Sequence, residues 1–438
     1  MHSFSRLSHN TINKNRGENT GERIAMDQLS LSSEEKLLLY CSRLSISEDI
    51  KCKIEGILSN DLDWDYTLEC SIKQGISPLF YWNLKKINNG KDVPSEVMKN
   101  LEKIYYSNLA RNMLLYDELS KILTAFKKAD IDTIVLKGAF LAEEIYKNIG
   151  LRPMSDIDLL VKEEDVQKAK KELLKLKYSA NVYTTKTHEK FQTILSEELP
   201  FTHQNKNSYV EIHWDIQPHN TPYMIDINKF WNNTKSVEIA GIEALTFASE
   251  DLLQHLCLHL DKHINYSGAP PAKPLRDYCD IAEVTNYYKD TINWNYLIQS
   301  SKNYGIEEPI FQGLFIAKEY FGALIPENII RELEPVKSDI SFEEIFQGLT
   351  KNNSNKKYQC LEMSYLTNLK IIDGSWNKAR IIFGDVFPSK EYMMYRYSIK
   401  NENQVYRYYF VRSGTAIQWG LTILKQLPGY IYRSTSGK

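Results

Sequence analysis

The chain has 438 residues, 42% hydrophobic and 25% charged, enough for two or three domains and close to the soluble globular average, which excludes collagen-like, wholly disordered and integral-membrane classes. Lys plus Arg number 54 against 56 Asp plus Glu, so the net charge of −2 gives the whole chain no electrostatic footprint for nucleic acid or anionic lipid; such a partner needs a local patch. Six cysteines, at 41, 52, 70, 257, 279 and 360, lack C-x-x-C spacing and read as reduced thiols.

Residues 1–25 are polar, without the apolar run of a secretory signal, and read as a disordered leader with Met26 as an alternative start. No stretch approaches 18 consecutive apolar residues, so no membrane span is expected, and cytoplasmic residence follows by elimination. Residues 26–130 read as an N-terminal helical region. Ser32 and Glu35 stand at capping-box spacing, helical patterns follow near 49–58, 65–74 and 78–87, and a long one opens with Pro94 in its first turn.

The texture changes over 131–247, where strands and helices mix. IDTIVLKG is a short β-branched run ended by Gly138, and FLAEEIYKN reads as a helix. SDIDLLV is a strand, EEDVQKAKKELLKL a helix, a Tyr/Thr-rich stretch lies near 178–186, NSYVEIHWDI is a strand, and SVEIAGIEALTF reads as a closing hairpin. Helices return over 248–438, with SEDLLQHLCLHLDKH, then PLRDYCDIAEVTNYY after the Pro/Gly break SGAPPAKP, then more to about 370.

The most informative segment is LRPMSDIDLLV, where period 2 on a strand points Asp156 and Asp158 to one face. Two acids on one face repel unless a cation sits between them. Paired carboxylates with open positions left for phosphate oxygens are what Mg²⁺, or Mn²⁺, requires in phosphoryl-type transfer. The alternative is that D-x-D is only the polar face of a half-exposed strand. Upstream, Lys137 and Gly138 stand at a strand-to-helix turn whose free N–H groups make an anion site. Downstream, Glu211 and His213 share one strand face while Val210, Ile212 and Trp214 take the other, so Glu211 is a candidate third carboxylate. Arg152 pairs either with phosphate or with the two aspartates, and the sequence does not separate these roles.

LKGAF (136–140), LRPMSDIDLLV (151–161) and VEIHWD (210–215), with looser likeness in DLLQHLCLHLDKH (251–263) and LRDYCDIA (275–282), carry a resemblance. Over most of 33–400 the chain resembles the uncharacterised nucleotidyltransferase group of the polymerase-β-like nucleotidyltransferase superfamily. The resemblance implies an α+β fold, a mixed sheet flanked by N-terminal and C-terminal helical domains. It also implies a glycine turn for the β and γ phosphates at Gly138, Mg²⁺ on Asp156 and Asp158, and the third acid at Glu211. The expected nucleotide-binding set is Lys137, Gly138, Ala139, Arg152 and Ser155. Ala139 stands where the superfamily has Ser or Gly, which removes a side-chain phosphate contact and leaves Lys137 as its substitute. The long interval from Gly138 to Asp156 implies a loop near Asn148 to Met154 over the nucleotide.

The implied activity is metal-dependent transfer of a nucleoside monophosphate from an NTP, ATP among the candidates, to an unknown small-molecule, peptide or protein acceptor, with release of pyrophosphate. The other readings are an inactive core that binds or scaffolds a peptide or protein partner, and a tRNA-directed transferase. His255, His259 and His263 repeat at i, i+4, i+8 beside Leu252, Leu253, Leu256 and Leu260. The first and last are ~12 Å apart along the helix, too far for all three to hold one ion. That stripe is expected to face the cleft opposite Arg276, Asp277 and Asp280, with His213, His259, Asp277 and Asp280 forming the surrounding shell. Asp277 or Asp280 reads as an acceptor-side base or, preferably, a structural salt link. Lys390, Arg396, Lys400, Arg407 and Arg412 alternate with tyrosines, the composition of a stacking surface for single-stranded nucleic acid and equally of a packed helix, and packing is favoured. The apolar AIQWGLTILKQL reads as an interfacial, partner-binding or core helix.

Overall fold

A computed structural model of the chain describes residues 31–180, 185–191, 196–218, 221–266, 274–335, 369–370, 372–397, 399 and 401–414. The leader, Cys360, Lys400 and AIQWGLTILKQL lie outside the described residues.

The N-terminal helices start where local chemistry sets them. Ser32 Oγ accepts the Glu35 N–H and Glu35 returns a bond to the Ser32 N–H, a complete capping box that opens α1 (Ser33–Tyr40). Ser47 and Asp63 cap α2 (Glu48–Leu58) and α3 (Trp64–Lys73) in the same way. α4 (Ser77–Lys86) carries Pro78 in its first turn, and α5 (Ser95–Lys128) runs 34 residues from Pro94, which stands at the N-cap, just before the first turn.

Seven strands form one mixed sheet: β1 (Ile134–Val135), β2 (Ile157–Leu160), β3 (Tyr178–Ala180), β4 (Glu198–His203), β5 (Tyr209–His213), β6 (Lys235–Ile239) and β7 (Ile242–Thr246). Their order is β3-β4-β5-β2-β1-β7-β6. β2 runs parallel to β5 and antiparallel to β1, which is itself parallel to β7. The β6–β7 hairpin forms as expected: Ala240 and Gly241 both take positive φ (54° and 72°), the two-residue turn that matches strand twist. Two details depart from the sequence reading. β4, within SEELPFTHQ, pairs antiparallel with β5, although Pro200 and the adjacent glutamates obscure its strand pattern. The helix after β1 begins earlier than expected, as α6 (Lys137–Phe140), and continues through a π-helical turn over Leu141–Ile145.

Helix α7 (Val166–Lys175) packs on the sheet side, and α8 (Lys186–Lys190) and α9 (Ile227–Asn232) occupy connections. The C-terminal helices are α10 (Ser249–Asp261), α11 (Pro274–Tyr287), α12 (Trp294–Tyr304), α13 (Glu307–Phe321) and α14 (Glu327–Leu333). One continuous apolar core runs from Leu31 to Leu333, joining the first helices, the sheet and these last helices. Beyond it, α15 (Ser375–Val386) and α16 (Lys390–Arg396) close two small clusters, Phe191 with Ile372 and Ile381, and Met393 with Ile399 and Val405. Two cations of the Tyr/Arg tail lie over its own rings: Lys390 Nζ is 5.3 Å from the Tyr406 centroid and the Arg412 guanidinium 5.4 Å from that of Tyr392. Among the described residues no helix is long and apolar enough to cross a membrane.

α10, α11 and α13 pack on one another around Gly313. A Cβ there would lie 2.5 Å from Cys257 Sγ and 3.3 Å from Ile281 Cδ1, so glycine permits the close approach. Gly313→Ala is expected to destabilise the chain by about 1–3 kcal/mol, because overpacking outweighs the helix-propensity gain. A lower urea midpoint with an unchanged m-value is the check.

Candidate functional site

Polar side chains of α5 grip the loop that precedes β2. Asn108 Nδ2 donates to Gly150 O (2.8 Å), Asn112 Nδ2 to Arg152 O (2.9 Å), and Arg111 Nη2 to Ser155 O (2.8 Å). Within the loop, Asn148 Oδ1 accepts the Gly150 N–H at 2.9 Å. Arg152 does not hold the aspartate pair. Its buried guanidinium meets Asp280 of α11, with Nη2 2.7 Å from Oδ2 and Nε 3.0 Å from both oxygens, and Tyr146 Oη donates to the same carboxylate at 2.8 Å. Asp280 is thus a structural salt link, because only a buried guanidinium partner compensates its own burial. Gly138 in the α6 turn lies against the loop, where an added Cβ would meet Arg152 Nη1 at 3.4 Å and Met154 Sδ at 3.5 Å, ordinary contact distances.

The sheet then sets the acids side by side. In the parallel register Asp158 lies beside Glu211 and Leu160 beside His213, while β4 places Glu198 opposite His213. The Leu136 N–H donates to Asp158 O at 3.1 Å, which delivers Lys137 over β2, with Nζ 3.3 Å from Asp158 Oδ1. His213 Nε2 is 3.2 Å from Asp158 Oδ1 and 3.7 Å from Glu211 Oε2, and Nδ1 is 3.5 Å from Glu198 Oε2. Among the described residues Asp158, Glu211 and His213 form a group whose ligand atoms all lie within 4.8 Å of one another. Asp156 stands one residue before β2 rather than on it, and it enters the same cleft from the strand's N-terminal end.

Burial opposes charge on every one of these groups, and the neighbours decide the outcome. For Asp158, Lys137 and the hydrogen bond from His213 overcome burial and hold the carboxyl well below the usual carboxylate range. For Asp156, burial and then Asp158 push the carboxyl up. Burial raises Glu211 too, with Asp158 and Glu198 adding to the shift and the His213 hydrogen bond opposing it. Burial would discharge His213, but hydrogen bonds to Asp158 and Glu211 and the charge of Glu198 raise it to about 9, so the ring is a cation at neutral pH. Lys137 and His213 therefore supply positive charge to the carboxylates. The donor set fits a divalent cation through the hard oxygens of Asp158 and Glu211, with His213 as the third member of the group; Asp156 lines the same cleft but is not in that group.

The cleft has a volume of about 260 Å³. Lys137, Gly138, Arg152 and Ser155 line it, as do Asp156, Asp158, Glu211, His213, His259 and Asp277. Ala139 does not: it is buried, and its carbonyl accepts the Tyr116 hydroxyl at 2.6 Å. Asp280 is likewise withdrawn onto Arg152. His255, His259 and His263 all face the cleft, and Arg276 engages its neighbour Asp277 through Nε and Nη2 at 3.0 and 2.7 Å. Sequence reasoning missed three wall residues, Glu197, Glu198 and Lys262. Lys262 Nζ contacts Glu197 and lies 3.7 Å from Glu198 Oε2. The adjacent glutamates would have been found only by recognising β4 as the partner of β5.

The Arg152–Asp280 pair generates a direct expectation. Asp280→Ala strands a buried guanidinium and is expected to cost about 3–5 kcal/mol, whereas Arg152→Met with Asp280→Leu costs less than the sum of the single changes. Denaturant midpoints of Arg152→Met, Asp280→Leu and the double variant form the cycle that measures it, with Asp280→Ala read separately.

Residues 60–322 match the model of a family described as an uncharacterised nucleotidyltransferase. No curated protein and no solved structure matches the chain. The matched stretch takes in α4 and α5, the whole sheet with its acids, and the helices through α13, which is more than half of the chain. The chain belongs to the uncharacterised nucleotidyltransferase family.

Proposed function

We propose that the chain is a metal-dependent nucleotidyltransferase, which moves a nucleoside monophosphate from an NTP to an acceptor and releases pyrophosphate. The observation that carries this reading is the in-register placement of Asp158 beside Glu211, with Asp156 entering the same cleft next to the Gly138 turn. Asp156, Asp158 and Glu211 would hold Mg²⁺ or Mn²⁺, which when bound supplies Lewis-acid stabilisation of charge on the phosphate oxygens. Lys137, at the first residue of α6 with its ammonium in the cleft beside Asp158, would donate from Nζ to a phosphate oxygen. Glu211 either completes that ligand set or, where it does not ligate the ion, takes the proton of the acceptor at a carboxylate oxygen. The acceptor oxygen then bonds to the α-phosphorus, the bond from that phosphorus to the α–β bridging oxygen breaks, and pyrophosphate leaves.

A second reading, an inactive core that recognises a peptide or protein partner, draws on one observation: Asp158 already has two cations on it, Lys137 and His213. Turnover decides between them. Incubation with ATP, GTP, CTP and UTP plus Mg²⁺ is expected to release pyrophosphate from at least one. Asp158→Asn and Asp156→Asn are each expected to lower that rate by more than about 100-fold, beyond the usual effect of losing an outer-shell partner, with far-UV circular dichroism unchanged. Equal rates in wild type and the double variant would leave only the binding role.

A further inference from the structure

We infer that His259 and His263 form a proton-accepting pair that binds the polyphosphate of the nucleotide, and so the departing pyrophosphate. The inference rests on the nucleotidyl-transfer reading and names what would grip the phosphates there. His259 Nε2 and His263 Nε2 lie 3.1 Å apart, with the rings edge to face and their centroids 4.4 Å apart. Two imidazole nitrogens at that distance share a single proton, one donating and the other accepting. A π-helical turn over Lys262–Tyr266 follows α10 and carries His263 in the same cleft wall as His259.

Lys137, Lys262 and Arg276 bring positive charge to the pair, each held in turn by an acid of the cleft wall. Lys137 from α6 acts on both rings, as does Lys262 from the same segment. Asp277 from α11 is the largest charge acting on His263 and raises its proton affinity, Arg276 opposes it, and His255 acts on His259 from one turn earlier. Asp277, the acid in this group, is engaged by Arg276 at 2.7 Å. Burial and these cations keep both imidazoles neutral in the free protein. His255 extends the row deeper: it is 4% exposed, and neither ring nitrogen has a hydrogen-bond partner among the described residues. The first turn after β1 brings no hydroxyl of its own, since it reads Lys137, Gly138, Ala139, Phe140. When polyphosphate enters, its negative charge reverses the local field. The pair then takes one proton from solvent, and the resulting imidazolium donates to a phosphate oxygen while remaining hydrogen-bonded to its neutral partner.

Titration calorimetry of inorganic pyrophosphate with Mg²⁺, run in two buffers of different ionisation enthalpy, tests this. Wild type is expected to take up roughly one proton more than the His259→Gln, His263→Gln double variant, and to lose about tenfold more affinity between about pH 6.5 and 8.5. Equal proton uptake in the two proteins overturns the inference. Long-range ¹H–¹⁵N spectra of histidine-labelled wild type require no variant to fold: one of the two rings is expected to become charged when pyrophosphate is added, and both staying neutral with pyrophosphate bound overturns the inference. If wild type binds no pyrophosphate with Mg²⁺ present, the nucleotidyl-transfer reading falls as well. If it binds and only the histidine signatures are missing, that reading stands and this one falls.

Discussion

Parallel pairing of β2 with β5 puts Asp158 next to Glu211, and the rest of the site follows from that one register. Two carboxylates ~5 Å apart at an effective dielectric of ~20 repel by about 3 kcal/mol, a large fraction of a domain's net stability. The fold offsets this by bringing two cations onto Asp158. Lys137 arrives because β1 ends against β2, and His213 because it lies two residues beyond Glu211 on the same strand face. A one-residue slip of β5 would turn Glu211 and His213 into the core and Val210 and Ile212 out of it, so hydrophobic burial enforces the polar arrangement.

Helices supply the rigidity that short strands lack. β1 has two residues and β2 four, too few to hold the approach to Asp156 by ladder bonds alone. α5 compensates from one side, with Asn108, Arg111 and Asn112 all spent on carbonyls of the loop between Ile149 and Ser155. α11 compensates from the other through Asp280, which ties Arg152 and Tyr146 together. The acids of the sheet and the histidines of α10 therefore face each other across a cleft whose lining is drawn from segments between Lys137 and Asp277.

Alternation on β5 and the D-x-D spacing were legible without coordinates, because period 2 is a property of the backbone itself. Asp156 was displaced by one residue from its expected strand, a boundary set by where the pairing with β5 begins, at Ile157 beside Val210. β4 escaped because Pro200 sits inside it and Glu197 and Glu198 look like a solvated charge run; they face the cleft only once β5 has claimed β4 as its neighbour. The partner of Arg152 could not be read either, since Asp280 is 128 positions away and only tertiary packing selects it over Asp156 or Asp158. The histidine row behaved as helical geometry requires: His255 and His259 keep their ring centroids 6.3 Å apart, while His259 and His263 come within hydrogen-bond distance.

The central claim is that the acids of β2 and β5 hold a cation together with nucleotide phosphates. A crystal structure of the chain with Mn²⁺ and a non-hydrolysable NTP analogue tests it most directly. The account predicts anomalous density for Mn²⁺ between Asp158 and Glu211, with Lys137 moved from Asp158 to the phosphates. Density for the analogue elsewhere, with Lys137 still on Asp158 and no ion between the carboxylates, would contradict it.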